Sequence, residues 1–168
     1  MALTYAYSGA HRARLAGVVV WSPFLHLAPE SRPSIVVATA GKLLAKVAPG
    51  RQMLSVLDEG YMSRDADVCK EFKEDPLCHD TGTLQGLAGM LERGALLMRK
   101  DVKARFAKSM KVLVLHGTAD KVTDCAASRK FVEELEVEDK EFRAYEGYYH
   151  KSKVRLRVSR GCFANVWW

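Results

Sequence analysis

An aspartate and a histidine stand at positions from which they could act as a catalytic pair. Asp120 comes just after the apolar run KVLVLHG, and His150 follows the alternating segment KEFRAYEG. One type of catalytic triad has the chain order serine, aspartate, histidine, and its carboxylate holds the imidazole that takes a proton from the serine. The order of these two residues therefore indicates the acid and the base of such a triad.

Two strands are needed to bring this pair together. KVLVLHG and KEFRAYEG each predict a strand, and CAASRKFVEELEVED between them predicts a helix. Strand, helix, strand is the βαβ pattern of an α/β protein with parallel strands, whose carboxyl ends meet at one edge of the sheet. We therefore expect Asp120 and His150 to lie close together. The run RLAGVVVWSP predicts a third buried strand.

Each of the two residues also has a non-catalytic interpretation. An aspartate after a strand often caps a turn or a helix, and either Thr123 or Asp124 could cap the helix that follows. His150 comes after two tyrosines and could be a packed surface residue. The spacing alone leaves these alternatives open.

The segment before KVLVLHG has a different character. Its prolines and irregular charged stretches favour an insertion, and two stretches within it have helical apolar spacing, SIVVATAGKLLAKV and TGTLQGLAGMLERGALLMRKDVKARF. Thr83 could cap the second of these. We expect residues 25–83, approximately, to form an insertion or lid rather than sheet, followed by one long or two shorter amphipathic helices. At the start of the chain, ALTYAYS predicts a helix ended by Gly9 in the left-handed conformation.

Three stretches together resemble the C-terminal half of a monoacylglycerol lipase-type α/β hydrolase of the serine aminopeptidase S33-like group. They are FKEDPLCHDTGTLQGLAGMLERG, LVLHGTADKVTD and FVEELEVEDKEFRAYEGYYHK. The resemblance implies a truncated α/β-hydrolase domain over residues 1–150, with about three parallel strands. It also implies that residues 25–108, approximately, form a mostly helical cap, inserted between strands, that covers the acyl-binding tunnel. It makes Asp120 the triad acid and His150 the triad histidine.

The same resemblance implies a substrate class. The expected reaction is hydrolysis of monoacylglycerol or a similar lipophilic ester, with no metal and no organic cofactor. The expected partners are the ester or its acyl chain and a membrane or lipid-droplet surface.

The nucleophile of that family is missing from the chain. Its serine lies in a G-x-S-x-G turn between a strand and a helix, and no such sequence occurs here. Ser8 has no glycine two residues before it, and Ser22 ends a predicted strand. We expect Met1 to begin just beyond the serine position and the chain to be inactive alone, because loss of a triad serine costs about a millionfold in turnover.

Two other functions stay open. The chain could be a non-catalytic pseudoenzyme that binds lipid or a protein partner. Alternatively, the atypical basic tail over residues 151–168, with five basic and no acidic side chains, could bind an anionic surface or nucleic acid. Nucleic acid is not the expected partner, because basic and acidic residues nearly balance elsewhere in the chain.

Composition sets the remaining limits. The 168 residues suffice for one modest domain. No apolar run approaches the roughly 18 residues of a membrane span, and MALTYAY lacks the basic start of a signal peptide. We therefore expect an intracellular, cytoplasmic protein, peripheral to membranes at most. The cysteines have no zinc-site spacing, so Cys78-His79-Asp80 is not expected to bind a metal.

Overall fold

The computed structural model describes residues 1–78 and 80–150. The basic tail 151–168 and His79 of the Cys78-His79-Asp80 motif therefore lie outside the described residues. The helices and strands follow in the order α1 (Ala2–Ser8), β1 (Gly17–Trp21), α2 (Ile35–Val47), β2 (Gln52–Leu54), α3 (Ala66–Glu74), β3 (Thr81–Thr83), α4 (Leu84–Leu97), α5 (Lys100–Lys103), β4 (Lys111–Gly117), α6 (Cys125–Glu133) and β5 (Asp139–Tyr145).

A three-stranded parallel sheet carries the fold, in the order β1–β4–β5. Gly17 pairs with Lys111 at the start of β4, and Gly117 at its end pairs with Tyr145 of β5. The strand β4 is central because its side chains are apolar on both faces, as expected for a parallel strand covered by other elements. The predicted α/β class with three parallel strands is confirmed.

Aromatic and aliphatic side chains from the helices pack onto this sheet. Helix α1 buries Leu3, Ala6 and Tyr7, which share one face because they are three and four residues apart. The ring of Tyr7 lies 5.8 Å from that of Phe106, and Phe106 lies 6.0 Å from Phe131 of α6. These contacts join both ends of the described chain in one core.

Helix α1 ends at the expected place but for a different reason. Gly9 has φ −64° and ψ 145°, which is extended backbone, so the left-handed conformation predicted from the sequence is wrong. A β-carbon on Gly9 would lie only 2.6 Å from the ring of Tyr5. Glycine is needed here because the tyrosine ring folds over the end of the helix.

The segment between β1 and β4 contains three longer helices and a small sheet. Strands β2 and β3 pair antiparallel, with Gln52 opposite Thr83. The expectation that this segment holds no sheet is therefore wrong, although helices dominate it. The hydroxyl of Thr83 accepts a hydrogen bond from the N–H of Gly86 at 3.0 Å, which confirms it as the cap of α4.

Strand β1 forms one edge of the main sheet. It pairs with β4 on one side, and the sheet has no further strand beyond it in the described part of the chain. Val19 in the middle of β1 is 51% exposed. Within the same residues, no helix is both long and apolar enough to cross a membrane.

Candidate active site

The carboxyl ends of β4 and β5 place Asp120 beside His150. The Nδ1 atom of His150 lies 2.9 Å from Oδ2 of Asp120. The Asp120 side chain is fully buried, whereas a quarter of the His150 side chain is exposed. A buried carboxylate therefore holds one nitrogen of an imidazole that is open to solvent, which is the geometry of an acid that orients a base.

Backbone contacts bind the two loops to each other. The N–H of Thr118 donates to the carbonyl of Tyr145 at 3.0 Å, and the N–H of Ala119 donates to that of Tyr148 at 3.0 Å. The N–H of Gly147 donates to the hydroxyl of Thr118 at 2.8 Å. The Asp120 and His150 loops consequently form one unit at the edge of the sheet.

Three donated hydrogen bonds and two imidazole nitrogens surround the carboxylate of Asp120. Its Oδ1 accepts the N–H groups of Val122 and Thr123 at 2.8 and 2.9 Å. Its Oδ2 accepts the Thr123 hydroxyl at 2.8 Å and faces ring nitrogens of both His150 and His116. Burial alone would raise the pKa of Asp120, but hydrogen bonds from His116 and His150 hold it well below its usual value.

His116 is the residue at this site that sequence reasoning missed. It is fully buried in β4, and its Nε2 lies 3.2 Å from Oδ2 of Asp120. Its Nδ1 lies 2.9 Å from the hydroxyl of Ser128 on α6. A histidine four residues before an aspartate at the end of a strand was the available signal.

The capping alternatives for Asp120 can now be decided. Asp124 is the cap of α6, because its Oδ1 accepts the N–H groups of Ala126 and Ala127 at 2.9 and 3.3 Å. The Oδ1 atom of Asp120 accepts the backbone hydrogen bonds of the turn that precedes α6, and its Oδ2 atom contacts the histidines. Asp120 thus makes a turn bond and the imidazole contacts at once, so the two interpretations are not exclusive.

The segment after β1 braces the Asp120 turn from outside. The N–H of Ala28 donates to the carbonyl of Val122, and that of Asp124 donates to the carbonyl of His26, each at 3.0 Å. Arg32 forms a 2.7 Å ion pair with Asp124. The turn is therefore fixed by the strand before it and by a second stretch of chain.

The end of β1 also reaches the site. The indole N–H of Trp21 donates to the carbonyl of His150 at 3.0 Å, and its ring lies 5.1 Å from that of Tyr145. The next residue, Ser22, has φ 41°, a strained value for a residue other than glycine. Its buried hydroxyl has no hydrogen-bond partner among the described residues.

Neither serine considered as a nucleophile is bonded to His150. The hydroxyl of Ser8 donates to the carbonyl of Thr4 within α1 at 2.8 Å. The Ser22 hydroxyl is buried and has no hydrogen-bond partner among the described residues. Among residues 1–78 and 80–150, no three histidine, cysteine or acidic side chains form a group able to hold a metal ion.

The family is decided by comparison with known proteins. The profile of the Hydrolase_4 family, serine aminopeptidase S33, matches residues 1–152. The chain belongs to this family. Over 157 residues it is 34% identical to a protein of Schizosaccharomyces pombe described as a putative monoglyceride lipase, covering 94% of this chain and 40% of that protein.

Solved structures support the same assignment for the S33 chain. A soluble variant of the monoglyceride lipase of Saccharomyces cerevisiae superposes with a TM-score of 0.81 at 27% identity, over 89% of this chain and 50% of that one. A monoacylglycerol lipase of Paleococcus ferrophilus gives 0.73 at 32% identity, over 88% and 55%. The fold is a partial α/β-hydrolase fold, and the chain spans about half the length of these relatives.

Proposed function

We propose that this S33 chain carries the acid and the histidine of a serine hydrolase that cleaves lipophilic esters of the monoacylglycerol type. The observation that supports the proposal most is the 2.9 Å contact between His150 Nδ1 and the buried Oδ2 of Asp120. Relatives described as monoglyceride lipases support the substrate class. In this role Asp120 fixes the tautomer of His150, and His150 acts as general base toward a serine.

The nucleophile has to come from outside the sequence of this chain. No G-x-S-x-G is present; the Ser8 hydroxyl is bonded within α1, and the buried Ser22 hydroxyl has no hydrogen bond to His150. We therefore infer that the chain alone is inactive and corresponds to the carboxyl-terminal half of a complete hydrolase.

Two proteins, assayed side by side, test this function. The first is the chain itself, which we expect to give neither labelling by a fluorophosphonate probe nor turnover of 4-nitrophenyl esters. The second is a chimera in which the part of the S. pombe relative that precedes the matched segment is joined to this chain. We expect the chimera to be labelled and to hydrolyse monoacylglycerol.

Variants of the chimera decide whether this chain supplies the acid and the base. His150→Ala and Asp120→Asn should each lower turnover by several orders of magnitude, since the residual rate of a broken triad comes from binding and the oxyanion site. Asp139→Asn, an exposed acid at the start of β5, is the matched control and should leave turnover unchanged. Turnover that survives both site variants, or labelling of the chain alone that depends on His150, would contradict the proposal.

We also infer that helix α2 contacts a lipid surface. It has no buried residue, and its exposed apolar side chains include Ile35 and Val47, which are 86% and 84% exposed. Lys42 and Lys46 lie on the same helix. Exposed apolar side chains beside lysines are typical of helices that lie in the membrane interface.

Vesicle flotation tests the lipid contact. The chain should float with phosphatidylcholine vesicles containing a minor fraction of anionic lipid. Ile35→Ser combined with Val47→Ser should release it, whereas the control Thr39→Ser should not. Retention of the double variant on vesicles would exclude α2 as the contact.

A further inference from the structure

Asp120 contacts a second imidazole, that of His116, which the proposed reaction does not use. His116 is fully buried in β4, and its two nitrogens face Asp120 and Ser128. We propose that Ser128 and His116 form a positioning arm, in which the Ser128 hydroxyl donates to Nδ1 of His116 and the Nε2–H of His116 donates to Asp120. This inference rests on the proposed function, because it assigns the arm the task of holding Asp120 for His150.

The partners of His116 determine where its proton lies. Its Nε2 lies 3.2 Å from both Oδ2 of Asp120 and the carbonyl of Thr123. A carboxylate and a carbonyl oxygen can only accept, and the Thr123 hydroxyl, 3.4 Å from Nε2, donates its proton to Asp120 at 2.8 Å, so Nε2 has to carry the proton. The remaining nitrogen, Nδ1, then accepts the hydroxyl proton of Ser128 across 2.9 Å.

Ser128 is placed for this task by α6. It is fully buried in the first turns of the helix, and its backbone N–H donates to the carbonyl of Asp124 at 3.2 Å. The cap bonds of Asp124 fix the start of the same helix. The hydroxyl position is therefore set by α6 rather than by a mobile loop.

The arm limits how the Asp120 carboxylate can rotate. The two backbone N–H groups of Val122 and Thr123 hold Oδ1. His116 approaches Oδ2, which also accepts from the Thr123 hydroxyl and faces His150. Because His116 adds a rigid buried donor to Oδ2, the oxygen stays directed at Nδ1 of His150.

A purely structural histidine would behave differently. The Ser128 hydroxyl and the Thr123 carbonyl would already satisfy both nitrogens of a core imidazole at this place. Such a residue could be replaced without effect on His150, which it does not touch in any described hydrogen bond. A test therefore has to measure whether replacing His116 changes His150 through their shared contact with Asp120.

The measurement is imidazole ¹⁵N NMR of the full chain labelled with ¹⁵N-histidine. We expect His116 to show a one-bond N–H coupling on Nε2 only, and His150 to show one on Nδ1. In His116→Met, which has no comparable donor, the His150 Nδ1–H signal should shift and be lost to exchange with water. In His116→Gln, whose amide offers a donor and an acceptor, that signal should be retained.

A second variant tests the hydrogen bond between Ser128 and His116. Ser128→Ala removes the donor to Nδ1, so His116 should lose its single tautomer while the chain keeps its fold. This variant and the tautomer of the unaltered chain decide the matter if His116→Met fails to fold. A proton on Nδ1 of His116, a doubly protonated His116, or a His150 signal unchanged in a folded His116→Met variant would overturn the proposal.

These readouts do not depend on ester hydrolysis. If the chimera hydrolyses no ester but the NMR signals respond as expected, the proposed function fails and the positioning arm stands. If the chimera is active and the His150 Nδ1–H signal is unchanged in a folded His116→Met variant, the proposed function stands and the positioning arm fails.

Discussion

Gly117 and Tyr148 approach so closely that a side chain at the first would collide with the backbone of the second. A β-carbon on Gly117 would lie 2.2 Å from the carbonyl oxygen of Tyr148. Gly117 is the last residue of β4, directly before the Asp120 loop, and Tyr148 lies in the loop that carries His150. The absence of a side chain at Gly117 therefore allows the His150 loop to cross the end of β4.

Gly117→Ala should push the two loops apart. The methyl group meets backbone atoms, which cannot rotate away, so we expect a loss of about 1–3 kcal/mol in the free energy of unfolding. Urea denaturation of the two chains measures this loss. The His150 Nδ1–H signal should also disappear, because the 2.9 Å contact with Asp120 opens.

Gly41→Ala is the control for that substitution. Gly41 lies inside α2, and a β-carbon there meets nothing within 4 Å. Alanine should stabilise the helix by up to about 1 kcal/mol. Equal responses of the two alanine variants would mean that the crossing of Tyr148 over Gly117 is not a tight contact.

The depressed pKa of Asp120 predicts how stability depends on pH. A carboxyl group whose pKa falls on folding stabilises the folded chain above its unfolded pKa, about 4, and loses that contribution as the pH falls further toward the folded value. Stability should therefore drop below about pH 4. In Asp120→Asn this part of the drop should be absent, as measured by urea denaturation from pH 7 to pH 3.

The same variant should be less stable at pH 7. Its amide would point an N–H group at a ring N–H or leave a buried donor unpaired, which costs about 1–3 kcal/mol. Asp139→Asn, at an exposed site 3.4 Å from Lys111, is the comparison and should have little effect. An acid transition that is unchanged in Asp120→Asn would assign the pH dependence to other carboxyl groups.

Sequence reasoning could find the Asp120–His150 pair because two local patterns fixed it. A continuous apolar strand and an alternating strand, joined by a helix, are enough to place both loops at one edge of a parallel sheet. The register of Gly117 with Tyr145 then brings the loops level. None of this requires knowledge of side-chain packing.

Contacts that depend on packing were not predictable in the same way. His116 lies within β4, where its neighbours in sequence indicate only a buried strand, and its partner Ser128 is 12 residues later on a helix. Strands β2 and β3 have three residues each, too few to show an alternating pattern. The reason for glycine at position 117 lies in a carbonyl 31 residues away.

Asp124 makes two kinds of contact that substitutions can separate. It caps α6 through Oδ1, and through Oδ2 it pairs with Arg32, whose side chain is 51% exposed. We expect Asp124→Ala to cost about 0.5–2 kcal/mol, since the cap bonds are lost. Arg32→Ala should cost less than about 1 kcal/mol, because an exposed ion pair contributes little. Urea denaturation gives both losses in the free energy of unfolding. A larger loss in Arg32→Ala than in Asp124→Ala would mean that the Arg32 side chain contributes more than the helix cap.

The free edge of β1 predicts weak stability and self-association of the chain. Val19 is half exposed on a strand that, within residues 1–78 and 80–150, pairs on one side only, and an apolar strand of this kind accepts another chain. We expect oligomers in light scattering, a small free energy of unfolding, and a midpoint of thermal unfolding that rises with the concentration of the chain. A lysine in the middle of the edge opposes such pairing, so Val19→Lys should reduce the oligomers.

Helix α2 is the other apolar surface through which copies of the chain could associate. The variant Ile35→Lys distinguishes association through α2 from association through β1. If β1 is the contact, Ile35→Lys should leave the oligomers unchanged although Ile35 is the more exposed side chain. A monomer that unfolds cooperatively without any substitution would show instead that three paired strands and the core around Phe131 suffice for a stable domain.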